Sequence, residues 1–352
     1  MLRKAKRIVV KVGSQLLAGE DGLNREFIEN ISSQIAALRK RGIEVVLVSS
    51  GAVLAGIKAL KLNRKPFSLA EKQALSAVGQ PYLMEEYRRA FKKAGIETGQ
   101  VLLTAEDLRS KERFLNAKNT FNALFKLGAI PIVNENDTLS TEEIRIGDND
   151  NLSAHVSVLV EAELLVILTT SRGVFDKNPE KHPDAKLIPV IEDIKEALER
   201  FDFSAQTTFG TGGMATKLEA AAKAAKKGIP VIIAGGREER VLERILDGER
   251  VGTLVMPSKR LKAKGYRILY LMESKGRLIV DRGAKEALVN GGKSLLSRGV
   301  VGAEGDFKKG DAVEVYSEEG ELLGKGVSRC SKEELKKSKV CIHRDDFVLL
   351  KD

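Results

Sequence analysis

The chain has 352 residues, 43% apolar and 31% charged, which is ample for buried cores and excludes an intrinsically disordered protein. That length exceeds what one hydrophobic core fills, so two domains are expected. No run approaches the ~18 apolar residues of a bilayer span, two cysteines give neither a disulfide framework nor a metal-ligand spacing, and a net charge of +10 invites a polyanion-binding reading.

In chain order, the basic opening leads into Ile8-Val9-Val10 with Val12, which reads as a first strand and not as a signal peptide. Phe27, Ile28, Ile31, Ile35 and Leu38 share one helical face, and Gly42 ends that helix. Val45 to Val48 is a strand running directly into Ser49-Ser50-Gly51. Ala129 to Val133 is a third strand, ending in Asn134-Glu135-Asn136-Asp137, and Leu164 to Leu168 a fourth, ending in Thr169-Thr170. A helix beginning near Leu152 follows the polar turn Gly147 to Asn151. An alanine-rich helix with Leu218, Ala221, Ala222 and Ala225 inward stops at Gly228, before a strand at Val231 to Ile233. Continuously apolar strands alternating with helices predict an α/β domain with a mainly parallel sheet covered on both faces. Ligands in such sheets bind beyond the carboxyl ends of the strands, where the polar, glycine-rich clusters fall.

Near Val255 the pattern changes. A basic connector, residues 257–265, contains Pro257, and beyond it short β-type segments (Arg277 to Val280, Ala312 to Tyr316, Val340 to Ile342) alternate with glycine turns. Residues 266–352 therefore predict a small, mostly-β barrel or sandwich. The charge excess is thin: residues 262–352 hold 19 Lys and Arg against 15 Asp and Glu. With so few aromatics, RNA binding by this part is not favoured. A soluble, cytoplasmic protein is expected.

Several motif matches fail on context. Gly210-Thr211-Gly212-Gly213-Met214-Ala215 satisfies the dinucleotide fingerprint, but the segment before it is too polar for a central strand, and the next strand ends at Gly235-Gly236 without the acidic residue that should hold a ribose. Lys217 follows Thr216 where a Walker loop has lysine before the hydroxyl residue, and His343-Arg344-Asp345 lies too near the end for a protein-kinase loop. What remains is a loop, Gly210 to Thr216, that reads either as a surface turn or as backbone N–H groups and a lysine presented to an anion. Ser50-Gly51-Ala52 is a second cradle of that type. Lys11, in the middle of an apolar strand, is costly unless its ammonium meets anions. Gly147-Asp148-Asn149-Asp150-Asn151 gathers carboxylates and amides, as does the pair Asn134 and Asp137.

Five ordered stretches then resemble the motif series of the glutamate 5-kinase family, within the amino acid kinase superfamily. They are Val10-Lys11-Val12-Gly13-Ser14, Val48 to Ala52, Val133 to Asp137, Gly147 to Ala154 and Gly210 to Lys217, with Arg113 to Ala117 fitting as well. Ile279 to Ala284, Gly305-Asp306-Phe307 and Gly310 to Val313 resemble a PUA domain. The resemblance implies a three-layer αβα sandwich in residues 1–256 and transfer of the ATP γ-phosphoryl group, with Mg²⁺, to the side-chain carboxylate of L-glutamate in proline biosynthesis. It implies that Lys11 and Lys217 contact phosphoryl oxygens and that Asp150 orients them. Ser50, Gly51, Asn134, Asp137, Asp148 and Asn149 would line the glutamate site. Gly13, Ser14, Thr169, Thr170 and the stretch Thr211, Gly212, Gly213, Met214, Ala215, Thr216 and Lys217 would border ATP. No direct protein ligand to the metal is assigned. The family often has Thr-Asp where this chain has Thr169-Thr170, which bears on nucleotide contact. Feedback inhibition by proline and a homo-oligomer, dimer or tetramer, are further implications.

Overall fold

The apolar runs become neighbouring strands of one eight-stranded sheet. The computed structural model describes residues 2–350 apart from 21, 65, 67, 141–148, 195, 198–212, 259–260 and 336. The chain divides into two compact units, 1–260 and 261–352, the division falling within the basic connector. In the first unit the strands are β1 (Arg7–Val12), the short hairpin β2 (Ala18–Gly19) and β3 (Gly22–Leu23), β4 (Glu44–Ser49), β5 (Thr98–Leu103), β6 (Ile130–Glu135), β7 (Leu164–Thr169), β8 (Val190–Ile191), β9 (Val231–Gly235) and β10 (Thr253–Val255). The sheet order is β5-β6-β4-β1-β7-β9-β10-β8, parallel throughout except that β10 runs against β9. Strand β1 is thus central, and its side chains must be apolar or compensated on both faces.

The helices of this unit are α1 (Ser14–Leu17), α2 (Arg25–Lys40), α3 (Ala52–Ala59), α4 (Leu69–Lys92), α5 (Ala105–Arg109), α6 (Lys111–Leu127), α7 (Asn149–Leu159), α8 (Met214–Lys226) and α9 (Val241–Leu246). Helix α2 starts where Asn24 accepts from the Phe27 N–H, ends with Arg39 and Lys40 in its last turn, and buries Phe27, Ile28, Ile31, Ile35 and Leu38. Ile8, Val10 and Val12 of β1 join that apolar layer with Leu83 and Tyr87 of α4 and Leu242 and Ile245 of α9. Because strand side chains alternate, Val9 and Lys11 face the opposite side, where α7 and α8 pack on each other and on the sheet. Helices cover both faces, giving the three layers.

Helices α3 and α4 approach unusually closely. A Cβ placed on Gly79 would lie 1.8 Å from the Ala52 carbonyl oxygen, and one on Gly56 would lie 1.9 Å from that of Leu75. Only glycine permits backbones that near.

The structure differs from the sequence expectation in three places. Helix α7 begins at Asn149, not near Leu152, so Asn149 and Asp150 lie in its first turn. Ala222 is half-buried while Ala220 and Ala224 are buried, so the inner face of α8 is rotated slightly. Strands β5, β8 and β10 extend the sheet beyond the apolar runs.

The second unit contains β11 (Ser274–Val280), β12 (Leu295–Leu296), β13 (Val300–Gly305), β14 (Ala312–Ser317), β15 (Leu322–Ser328) and β16 (Val340–Leu349), in the order β12-β16-β15-β14-β11-β13. Helix α10 (Ala263–Tyr266) precedes this sheet, and α11 (Arg282–Val289), capped by Asp281, supplies Leu288 to a core with Leu278, Val280, Phe307, Val313, Val315 and Ile342.

Candidate active site

Strands β1, β4, β6, β7 and β9 run parallel, so their carboxyl ends share one edge of the sheet, and the polar clusters collect there. Lys11 lies one residue before the end of β1, between Val48 of β4 and Ile167 of β7. Its ammonium meets the Asp150 carboxylate, which also takes the ammonium of Lys217 at 3.0 Å on its other oxygen. Asp150 is fully buried, and Lys11 and Lys217 are only 4% and 6% exposed. Such groups are tolerated only when paired. Burial pushes the Asp150 carboxyl up, but the charges and hydrogen bonds of Lys11 and Lys217 outweigh it and hold it below the usual carboxylate range. Two ammonium groups against one carboxylate leave the trio one positive charge in excess.

Thr216, one residue before Lys217, donates from its hydroxyl to the Gly213 carbonyl at 2.9 Å and reaches Asp150 Oδ2 at 3.2 Å. Gly213 caps α8, with Met214 and Ala215 in its first turn. Thr211 and Gly212 lie outside the described residues, as does Asp148.

A second group adjoins the first through α7. The two N–H groups of Asn149 Nδ2 are shared among three acceptors, the Ser49 carbonyl at 3.0 Å, Ser50 Oγ at 2.8 Å and Asn134 Oδ1 at 2.9 Å. A carbonyl only accepts, so this bond fixes which way the amide faces. Asn149 Oδ1 is then buried with no hydrogen-bond partner among the described residues. Gly51, at φ 102°, turns the chain from β4 into α3 in a left-handed conformation that glycine adopts without strain. Ser50, Asn134 and Asn149 are therefore one cluster, and the first turns of α3, α7 and α8 border the two groups. The N-terminal ends of helices, where the dipole is positive and N–H groups point outward, favour anions.

Asp137 lies just past β6 and accepts a hydrogen bond from Ser76 of α4 at 2.9 Å. Gly13 caps α1, and a Cβ there would be 3.8 Å from Lys11 Nζ and 3.7 Å from the Leu168 carbonyl oxygen. Ser14 opens α1. The Thr170 hydroxyl donates to Gln15 Oε1 at 3.2 Å, joining the end of β7 to the segment after β1. The Thr169 carbonyl accepts from the Gly236 N–H at 2.8 Å.

Sequence reasoning missed the layer behind this edge. Ser76 and Tyr87 project inward from α4. The Tyr87 hydroxyl meets Ser49 Oγ at 2.9 Å, and burial pushes its pKa well above the usual phenol value. A helix-periodic serine or tyrosine carries no motif; only the inward face of α4 could have suggested them.

The Amino acid kinase family profile matches residues 6–235, and the PUA domain profile matches residues 276–344. A glutamate 5-kinase of Thermus thermophilus is 47% identical over 95% of this chain and 90% of its own. One from Trichlorobacter lovleyi is 42% identical over 99% and 98%. Among solved structures, UMP kinase from Bacillus anthracis superposes with a TM-score of 0.50 at 18% identity, covering 73% of this chain and 98% of its own, a likeness of fold alone. The chain therefore belongs to the glutamate 5-kinase family, enzymes of the amino acid kinase fold that here carry a C-terminal PUA domain.

Proposed function

We propose that this enzyme transfers the γ-phosphoryl group of ATP to the side-chain carboxylate of L-glutamate, giving L-glutamyl 5-phosphate for proline biosynthesis in the cytoplasm. The observation that carries the reading is the meeting of Lys11 and Lys217 on Asp150 beside the amide cluster. A glutamate side chain has a pKa of about 4.3 and is ionised at neutral pH, so no general base is required. The barrier lies in bringing one anion to another and in stabilising charge on the transferring group. Two buried ammonium groups and helix N-termini suit that electrostatic task in an in-line displacement.

In this reading Lys11 and Lys217 hold phosphoryl oxygens while Asp150 keeps both ammonium groups aimed. Ser50, Gly51, Asn134, Asp137, Asp148 and Asn149 hold glutamate. Asn149 Oδ1, a buried acceptor awaiting a donor, and the Asp137 carboxylate suit the substrate ammonium. Gly13, Ser14, Thr169, Thr170 and Thr211 to Lys217 border the nucleotide. Mg²⁺ accompanies the nucleotide in this reading, and no direct protein ligand to it is assigned. Inhibition by proline and a homo-oligomeric state follow as proposals from the family.

The test is a panel of carboxylate acceptors with ATP and hydroxylamine trapping of the acyl phosphate. Hydroxamate formed with glutamate in preference to aspartate, N-acetylglutamate and carbamate supports the reading. Preference for another acceptor, or for a nucleoside monophosphate, overturns it.

A further inference from the structure

Behind the amide cluster stands a side chain that neither the motifs nor the proposed site accounts for. Asn134 Oδ1 accepts from Asn149 Nδ2 and also from the Glu135 backbone N–H at 2.9 Å. Its own Nδ2 donates to Gln80 Oε1 at 2.9 Å, and Gln80 Nε2 donates to Gln100 Oε1 at 3.0 Å. Gln80 is buried on the inner face of α4, whereas Gln100 is exposed on the edge strand β5. Three amides thus run in series from the sheet edge to Asn149. The direction of the series is fixed at both ends of the Asn134–Asn149 pair by backbone groups, an N–H that only donates and a carbonyl that only accepts.

We propose that Gln80 is a positioning residue for the substrate amine. It holds Asn134, which holds Asn149 with Oδ1 turned toward the incoming ammonium. The proposal rests on the reading that glutamate binds at this cluster. The physical reason is satisfaction of buried amides. Without the Gln80 carbonyl, the Asn134 Nδ2 is left unpaired in a buried position, a costly state. Asn134 relieves it by rotating out, which withdraws its Oδ1 from Asn149 and leaves that amide held only by the Ser49 carbonyl and Ser50 Oγ, so that Asn149 Oδ1 is aimed less firmly. A glutamate at position 80 keeps the acceptor, and exposed Gln100 can turn its amide to donate to the second oxygen.

The experiment is steady-state kinetics on the full chain carrying Gln80→Met, Gln80→Asn or Gln80→Glu, with thermal melting as a folding control. Methionine fills the space without an acceptor; asparagine is too short to reach, and either serves if the other does not fold. An unpaired buried donor predicts a rise of about ten-fold in KM for glutamate, with kcat and KM for ATP within about two-fold. Gln80→Glu restores near-normal KM, and Gln80→Met adds nothing further to an Asn134→Ala chain. Loss of kcat at unchanged KM, or Gln80→Glu as impaired as Gln80→Met, overturns the proposal. Asn149→Ala separates the two claims. If it raises KM for glutamate and Gln80→Met does not, only the positioning role falls. If Asn149→Ala leaves KM unchanged, the site assignment falls with it.

Discussion

Lys11 and Lys217 share a single carboxylate, one ammonium on each oxygen of Asp150, although they come from the central strand and from a helix late in the same unit. Each cation is held in place by the same anion, so displacing one changes the environment of the other. This makes the three side chains one electrostatic unit.

Removing either cation should act on the chemical step. Lys11→Ala and Lys217→Ala are each expected to lower kcat by about 10²–10³-fold with a much smaller change in KM for glutamate, as for loss of a donor aimed at developing charge. Arginine should not restore the rate, since a planar fork does not fit the place of a compact ammonium. Steady-state kinetics at saturating ATP reads this; near-normal turnover in either alanine variant removes that lysine from the role.

Asp137 should matter for one substrate only. Asp137→Asn keeps the shape and the Ser76 hydrogen bond but removes the charge proposed to meet the substrate ammonium. Calorimetry should show glutamate binding weakened by roughly ten-fold or more, as for loss of one partner of a charged hydrogen bond. ATP binding should be unaltered; the reverse pattern rejects the assignment.

His155, buried in α7, has its pKa pushed down to about 3, first by burial and then by the nearby Lys223 charge. The unfolded chain therefore takes up a proton near pH 6.5 that the folded chain refuses until about pH 3. Folding stability is full above that upper value and falls on acidification at about 1.4 kcal/mol per pH unit through the window. Asp150 acts lower still: its depressed pKa gives stability that is present above the ordinary carboxylate value and lost as pH drops below it. Urea titrations at pH 7 and pH 5 should show His155→Leu losing less stability between them than the unaltered chain does.

The α3–α4 contact should be intolerant of a single methyl group. Gly79→Ala places a Cβ against the Ala52 carbonyl, and relieving that clash must move the start of α3, which follows directly on Ser50 and Gly51. A cost of about 1–3 kcal/mol in stability is expected from overpacking, together with a raised KM for glutamate. Thermal melting and kinetics on the same variant check both parts.

The parts of this structure legible in the sequence are those with one dominant signal. Val45 to Val48 or Leu164 to Leu168 could only be buried strands, and Phe27 to Leu38 only a one-sided helix. Lys11 stands out because a charge in a central strand demands a partner, though nothing local names Asp150 as that partner; only the family resemblance implies it. Strand β5, with Thr98, Gly99 and Gln100, is an edge strand whose polar residues mask its period, and β8 and β10 are two and three residues long. Helix α4 carries Gly79 and Pro81, which read as breakers, yet the helix continues through both. Ser76, Gln80 and Tyr87 are hidden for the same reason. Their chemistry depends on which way a single helix is turned, and only tertiary packing decides that.

The burial of Lys11 in the middle of the sheet has an evolutionary corollary. Replacing Lys11, Asp150 and Lys217 together by methionine and leucine would exchange a desolvated ionic knot for apolar packing, and such exchanges commonly leave a protein as sturdy or sturdier. Selection for robustness alone would thus erode this centre. Stability alone therefore gives no reason for three charged side chains here, which accords with the catalytic role proposed for them.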